Sequence, residues 1–235
     1  MNAERDEIRS LANSFAENAN GHVDDESFNH IGFTVNGITV ELHSIPGFMA
    51  KFVYNRRLQR WLKQNIDEQC NNMVALPNDA GLVAVPTHSF NVVYQLYHLY
   101  PHDFYEGVGL RQVVDYYFVV TMLNVECEML NSLQSELKHL GLWKFAGAMM
   151  YVLHKVMGLT EDNMIAPMDA NRGQMLLDDI LNGGNFGYYD KHHVCGHNPL
   201  RLYRDARLLR YYPAEALCEP IFRVWHFFWR MKNKK

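Results

Sequence analysis

Two stretches of this sequence place polar side chains where the stability of a strand or helix does not call for them. The first is VELH, in which Glu41 stands in the middle of a predicted strand and His43 follows two residues later. A carboxylate in the centre of a strand is unusual unless it is paired or bound to a metal ion. Glu41 is therefore a candidate for a polar or metal-binding site. The alternative is a surface glutamate that faces outward from an edge hairpin.

The second stretch, residues 90–117, contains two helical patterns joined by a short glycine-containing turn. His98 and His102 lie one turn apart on a polar face of the first pattern. Arg111 falls in the first turn of the second, where the helix dipole disfavours a cation. It also precedes Asp115 by four residues, the weaker order for an ion pair on a helix. An anion or a distant carboxylate would explain Arg111. For the two histidines, ordinary packing in a core or on a surface is the alternative.

The segment FNHIGFTV-NG-ITVELH positions Glu41. Asn36-Gly37 between two alternating runs predicts a two-residue type I′ hairpin, which fixes the register of the strands. Glu41 then lies opposite Gly32, and His43 lies opposite His30, on one polar face. The other face is predicted to be the core face, formed by three apolar pairs: Val35 with Ile38, Phe33 with Val40, and Ile31 with Leu42.

Composition sets the class of protein. The 235 residues are 48% hydrophobic and 20% charged, as is typical of a globular chain, and the net charge of −4 gives no bulk attraction to nucleic acid. We expect no sequence-specific nucleic acid partner. The polar start and the lack of a long apolar run predict a cytoplasmic protein without a membrane span. Four widely spaced cysteines are predicted to be reduced thiols.

The remaining patterns are mainly helical. Helices are predicted at residues 2–19, 55–70, 126–139, 142–157, 169–181 and 214–235, with an acidic loop at 24–26 and a further loop at 77–86. The C-terminal helix is expected to dock on the helical bundle. We place a domain boundary in the 77–86 loop, which gives domains at residues 1–80 and 81–235. The predicted fold class is α+β.

Several motifs resemble the uncharacterised bacterial nucleotidyltransferase family. They are the HxxxH at His98 and His102, the run EGVGLRQ followed three residues later by Asp115, VELH, and GGNFG at residues 183–187. The resemblance extends from about Glu4 to about Arg230. It implies a polymerase-β-like core followed by a helical region, so that the hairpin would be a remnant of the nucleotidyltransferase core and residues 81–235 a helical C-terminal domain.

The resemblance also implies a site. Enzymes of this fold hold two Mg²⁺ ions with three carboxylates, and Glu41 matches the third of these carboxylates. Glu41 would then be both catalytic and a metal ligand. The nucleoside triphosphate and an unknown acceptor hydroxyl would be the substrates. The substrate-binding residues would be Arg111, His98, His102, Gln112 and Asp115.

The sequence departs from the family pattern at the catalytic strand. The Gly-Ser turn and D-x-D strand are expected before the first helix, and Glu4-x-Asp6 lies on a helical pattern. Because Met1 lies at about the start of that helix, we expect both elements to be missing. Either the frame is truncated at its N-terminus or the protein has lost transferase activity. In both cases we expect the chain to be inactive by itself, with Mg²⁺ bound only if the missing carboxylates are supplied. The alternative is a non-catalytic module of the same fold that binds a nucleotide or a partner protein.

Other metal chemistry is a more distant alternative. A metal hydrolase could use the four histidines of the two stretches, which are His30, His43, His98 and His102. The histidine- and cysteine-containing run at residues 192–197 lacks the spacing of a structural zinc site. We therefore expect no zinc.

Overall fold

The computed structural model describes residues 2–18, 21–26, 28–105, 107–123, 127–183 and 208–233. The chain divides into two compact units, one made of Met1–Ala50 with Cys218–Lys235 and the other of Lys51–Leu217. The predicted α+β class is confirmed, since a small antiparallel sheet accompanies a mainly helical chain. The loop at residues 77–86 lies inside the second unit. The boundary at residue 80 between a nucleotidyltransferase core and a helical domain stays a prediction.

The first unit is built on a three-stranded antiparallel sheet. Helix α1 (Asn2–Asn18) leads into β1 (His22–Glu26), β2 (His30–Val35) and β3 (Ile38–His43), with β2 in the centre. Asn36 and Gly37 connect β2 to β3 with φ of 51° and 77°. Both values are positive, as a type I′ turn requires. All the cross-strand pairs predicted for this hairpin are confirmed.

The core of this unit is smaller than the alternation predicted. Ala12 and Ala16 of α1 pack on Ile31 and Phe33 of β2, with Ile8, Val35 and Leu42 partly buried around them. The prediction that all six apolar hairpin residues share the core is wrong for Ile38 and Val40, which are 67% and 37% exposed. Because α1 packs mainly over the central strand, the outer strand is covered only in part.

Two strand segments fall where loops were predicted. The acidic residues 24–26 belong to β1, which pairs with β2. Strand β5 (Leu82–Ala84) lies within the loop predicted at 77–86 and forms a short hairpin with β4 (Met73–Ala75). The prediction of loops at these positions is therefore wrong. Backbone pairing with a neighbouring strand outweighs the low strand propensity of acidic residues.

The second unit is a helical assembly. Its helices are α2 (Phe52–Asn71), α3 (His88–Tyr105), α4 (Leu110–Thr121), α5 (Cys127–Leu140), α6 (Trp143–Met157) and α7 (Ala170–Gly183). Helix α6 is the most deeply buried of these, with Phe145, Met149 and Leu153 fully enclosed. A Cβ on Gly147 would lie 2.8 Å from the carbonyl oxygen of Pro167, and one on Gly173 would meet the ring of Tyr151 at 2.4 Å. Both glycines therefore permit close packing around α6 and α7.

The aromatic residues of the last helix, α8 (Pro213–Asn233), belong to the first unit. Phe222 stacks on Phe48, with ring centroids 4.7 Å apart, and Phe28 makes edge contacts with Trp225 and Trp229. The expectation that this helix docks on the helical bundle is therefore wrong for its aromatic residues, which contact Phe28 and Phe48 instead. None of the helices in the described residues is long and apolar enough to cross a membrane.

Candidate functional site

The hairpin of β2 and β3 brings three potential ligands together. His30 pairs with His43, and Gly32 pairs with Glu41, which is the predicted register. The open end of the hairpin is tied by Ser44, whose N–H and hydroxyl both donate to the carbonyl oxygen of Asn29 at 2.8 and 3.0 Å. This tie fixes the ends of the strands next to the two histidines.

The side chains of His30, Glu41 and His43 form a compact cluster, which we call the hairpin cluster. Their ligand atoms all lie within 4.8 Å of one another. His43 Nε2 is 3.1 Å from Glu41 Oε2, and the centroids of the two imidazole rings are 5.1 Å apart. The side chains of His43 and Glu41 are 36% and 53% exposed. The cluster is therefore open to solvent on the side of β3.

His30 is the more enclosed histidine of the cluster. Its Nδ1 atom is shielded from solvent and has no hydrogen-bond partner within the part of the chain that the structure describes. A buried polar atom left without a partner costs about 1–3 kcal/mol. A ligand that satisfied this nitrogen would therefore recover stability.

The donor atoms of the hairpin cluster decide which chemistry it can support. Two imidazole nitrogens and one carboxylate oxygen suit zinc and other first-row transition metals. Mg²⁺ prefers oxygen ligands in a near-octahedral arrangement. Without a metal ion, the same residues form a hydrogen-bonded pair of His43 and Glu41 beside a second imidazole.

The two predicted histidines of α3 also lie together. His98 and His102 approach within 3.3 Å through their Nε2 atoms, and their ring centroids are 4.6 Å apart. The Tyr94 ring is nearly parallel to His98 at 6.3 Å. Within the described residues this pair is not part of a three-ligand group of the kind formed at the hairpin.

Helix α4 presents the remaining predicted residues. Arg111 and Asp115 are both exposed, and among the described residues no carboxylate lies within ion-pair distance of Arg111. A buried ion pair with Asp115 therefore does not account for this arginine.

The Gln112 Oε1 accepts a hydrogen bond from the Gly109 N–H at 2.7 Å. Gln112 thus caps the start of α4, and its amide NH₂ group is the part that could contact a substrate.

The sequence-predicted site residues fall into two sets. Glu41 belongs to the first compact unit. The second unit contains the other five predicted residues, which are His98, His102, Arg111, Gln112 and Asp115. Under the nucleotidyltransferase interpretation, the sequence predicted Glu41 alone as a metal ligand. The Asn-Gly turn already placed His30 opposite His43 on the same polar face, but the two histidines were named as ligands only in the alternative of a metal hydrolase.

Some predictions lie outside the described residues. These are the interpretation of the run at 192–197 and the GGNFG motif beyond residue 183. Glu106, a further candidate partner for Arg111, also lies outside the described residues.

The fold and the site together define a class: an α+β protein with a small sheet that carries an exposed glutamate, followed by a helical unit with an exposed arginine. A family model described as an uncharacterised nucleotidyltransferase matches residues 4–158. The chain belongs to this nucleotidyltransferase family, which confirms the resemblance over that range, and its extension to Arg230 stays a prediction. No curated protein and no solved structure matches the sequence.

Proposed function

We propose that this chain binds a nucleoside triphosphate as part of a nucleotidyl transfer reaction. In that reaction an acceptor hydroxyl oxygen bonds to the α-phosphorus, the bond to pyrophosphate breaks, and the hydroxyl proton passes to a base. The observation that carries the proposal is the family match, which includes both the hairpin of Glu41 and the helix of Arg111. The acceptor would be a hydroxyl compound that the family relationship does not name.

The Mg²⁺ pair implied by the family resemblance needs several carboxylates. In the described part of the chain, Glu41 is the one carboxylate in a group that could hold a metal ion, and its neighbours are imidazoles. These residues do not fit a pair of Mg²⁺ ions by themselves. We therefore infer that the 235 residues alone do not transfer nucleotides, and that Glu41 would serve as a Mg²⁺ ligand only together with further carboxylates.

Arg111 is the residue best suited to the triphosphate. It is exposed and lies in the first turn of α4, and its planar guanidinium can donate two parallel hydrogen bonds to a phosphate. Helix α3 packs against α4. His98 and His102 would donate hydrogen bonds from their imidazole N–H groups to the phosphates or the acceptor. Gln112 and Asp115 would contact the acceptor or the nucleobase.

Nucleotide binding by the metal-free chain tests this proposal. Arg111→Ala should weaken binding of ATP or GTP by roughly 10- to 100-fold in calorimetric titration, as expected when a hydrogen bond to a charged group is lost. Arg60→Ala, on the exposed face of α2, is the matched control and should bind as the wild type does. Equal binding by Arg111→Ala and wild type would refute the role of Arg111.

The alternative function is a non-catalytic module of the same fold that binds a nucleotide or a partner protein. The set of donors at the hairpin supports it, because one carboxylate with two imidazoles is a poor Mg²⁺ cage. Nucleotide binding without release of pyrophosphate in the presence of Mg²⁺ is the result that both functions predict for the 235 residues alone. Release of pyrophosphate that Glu41→Ala abolishes would instead establish a complete enzyme.

A further inference from the structure

We propose that the hairpin cluster binds one divalent transition-metal ion of the Zn²⁺ class. His30 and His43 would each supply an imidazole nitrogen, and Glu41 a carboxylate oxygen. The sequence-based expectation of no zinc rested on the spacing at residues 192–197, which are different residues. The inference goes beyond the proposed function, because it requires neither a nucleotide nor catalysis.

The donor set is the first argument. Imidazole nitrogen is a ligand that zinc, copper, nickel and iron accept readily, whereas Mg²⁺ takes oxygen. Three protein ligands are also the usual number in a zinc site that keeps one position open. A water molecule or a phosphate oxygen could take that fourth position.

The spacing of the ligand atoms is the second argument. Bonds of about 2.0–2.1 Å around a tetrahedral ion place neighbouring ligand atoms about 3.3 Å apart. His43 Nε2 and Glu41 Oε2 are already 3.1 Å apart, and the whole group lies within 4.8 Å. Small rotations of the side chains would therefore complete the coordination without moving the strands.

The sheet around the hairpin cluster provides the third argument. Gly32 pairs with Glu41, so the neighbouring position on β2 carries no side chain that could cover the carboxylate. The hairpin turn and the hydrogen bonds from Ser44 to Asn29 hold both ends of the two strands. The Nδ1 of His30 is enclosed and has no protein partner among the described residues. A bound metal ion, or a water molecule on that ion, would give this nitrogen a partner.

Metal titration of the full chain tests the site. The protein is first stripped with a chelator, and Zn²⁺ is then added in competition with a chromophoric chelator. In a parallel experiment Co²⁺ is added and its visible absorption is recorded, because the spectrum reports the coordination of the ion. We expect one ion per chain, nitrogen and oxygen coordination of Co²⁺, and no displacement of Zn²⁺ by a large excess of Mg²⁺.

Variants identify the ligands. His30→Ala, His43→Ala and Glu41→Gln should each weaken Zn²⁺ binding by more than the 10- to 100-fold typical for loss of an outer-shell partner of a metal ligand. His43 and Glu41 are exposed, so their variants should fold even if His30→Ala does not. Circular dichroism checks the fold of each variant. His88→Ala, which removes an exposed histidine of the second unit, is the matched control and should bind like the wild type.

Three outcomes would overturn the proposal. The first is no stoichiometric Zn²⁺ or Co²⁺ binding by the wild-type chain. The second is undiminished binding by folded His43→Ala and Glu41→Gln. The third is loss of the bound ion when His192, His193 and His197 are replaced by alanine while the hairpin cluster is intact. A failure of nucleotide binding would leave each of these results unchanged, so the two proposals fail separately.

Discussion

The two histidine pairs of this protein differ in what surrounds them. On the hairpin, His30 and His43 come from two strands and have Glu41 beside them, whereas His98 and His102 come from successive turns of one helix. Among the described residues, only the hairpin pair forms part of a three-ligand group. The spacing of histidines alone is therefore a weak guide to metal binding. A carboxylate placed by a fixed strand register makes the difference.

The largest expected effect separates the two pairs directly. His43→Ala should weaken Zn²⁺ binding by more than about 10- to 100-fold, because it removes a ligand and not merely an outer-shell partner. His102→Ala should leave Zn²⁺ binding unchanged, because among the described residues His102 and His98 are not part of a three-ligand group. Competition with a chromophoric chelator measures both variants. Equal losses in the two variants would mean that the pairs are equivalent and that the comparison is wrong.

A second prediction concerns the turn that sets the hairpin register. Gly37 has φ of 77°, and a Cβ at this position would meet nothing within 4 Å. Gly37→Val should therefore destabilise the first unit through backbone strain alone, by about 1–2 kcal/mol. Urea unfolding together with hydrogen exchange of the β2 and β3 amides measures the loss.

Gly37→Asn is the matched control for this turn, because asparagine tolerates the left-handed conformation. It should be nearly as stable as the wild type. A loss as large as that of Gly37→Val would indicate that the glycine is required for some reason other than its φ.

The third prediction tests an anchor of the helical unit. Asp169 accepts hydrogen bonds from the Arg172 N–H at 3.1 Å and from its guanidinium at 2.6 Å, and the same guanidinium donates to the carbonyl of Tyr211. Asp169→Ala removes this cap of α7 and should cost about 0.5–2 kcal/mol at neutral pH. Asp162→Ala, at an exposed position, should cost little.

The effect of Asp169→Ala should depend on pH. Partial burial pushes the pKa of Asp169 up, but the hydrogen bonds from the Arg172 backbone and side chain outweigh it and hold the pKa below its ordinary value. A lowered folded-state pKa means that the contribution is complete above about pH 4 and is lost as the pH falls through the folded-state value. Denaturant unfolding of wild type and variant at several pH values measures this. A difference that grew on acidification would contradict the assignment.

The smallest expected effect is at Arg111. Because its side chain is exposed and pairs with no carboxylate among the described residues, Arg111→Ala should change the free energy of unfolding by no more than about 0.5 kcal/mol. Arg172→Ala is the contrasting variant, since that arginine is ion-paired at 2.6 Å, and it should be clearly less stable. Thermal and denaturant unfolding compare them. A large loss in Arg111→Ala would show that this arginine holds the fold, and its proposed role in binding phosphate would have to be abandoned.

Local patterns in the sequence determined much of the fold. Asn36-Gly37 fixed the hairpin and every cross-strand pair in it, because two residues with positive φ admit one register. The helices near residues 2–19, 55–70 and 142–157 follow from apolar periodicity and are found within a few residues of the predicted ends. The family motifs identified the nucleotidyltransferase family.

Only the tertiary structure decided which apolar residues are buried and which polar residues meet. Leu11 and Phe15 of α1 are apolar, yet they are 46% and 51% exposed, because the helix presents Ala12 and Ala16 to the small sheet. The strand at residues 22–26 depends on the central strand beside it, which no local pattern of acidic residues reveals. The hairpin register was enough to place His30 opposite His43. The enclosure of the His30 Nδ1 atom and the 3.1 Å contact of His43 with Glu41 depend on side-chain packing across the sheet, and packing is a property of the folded chain.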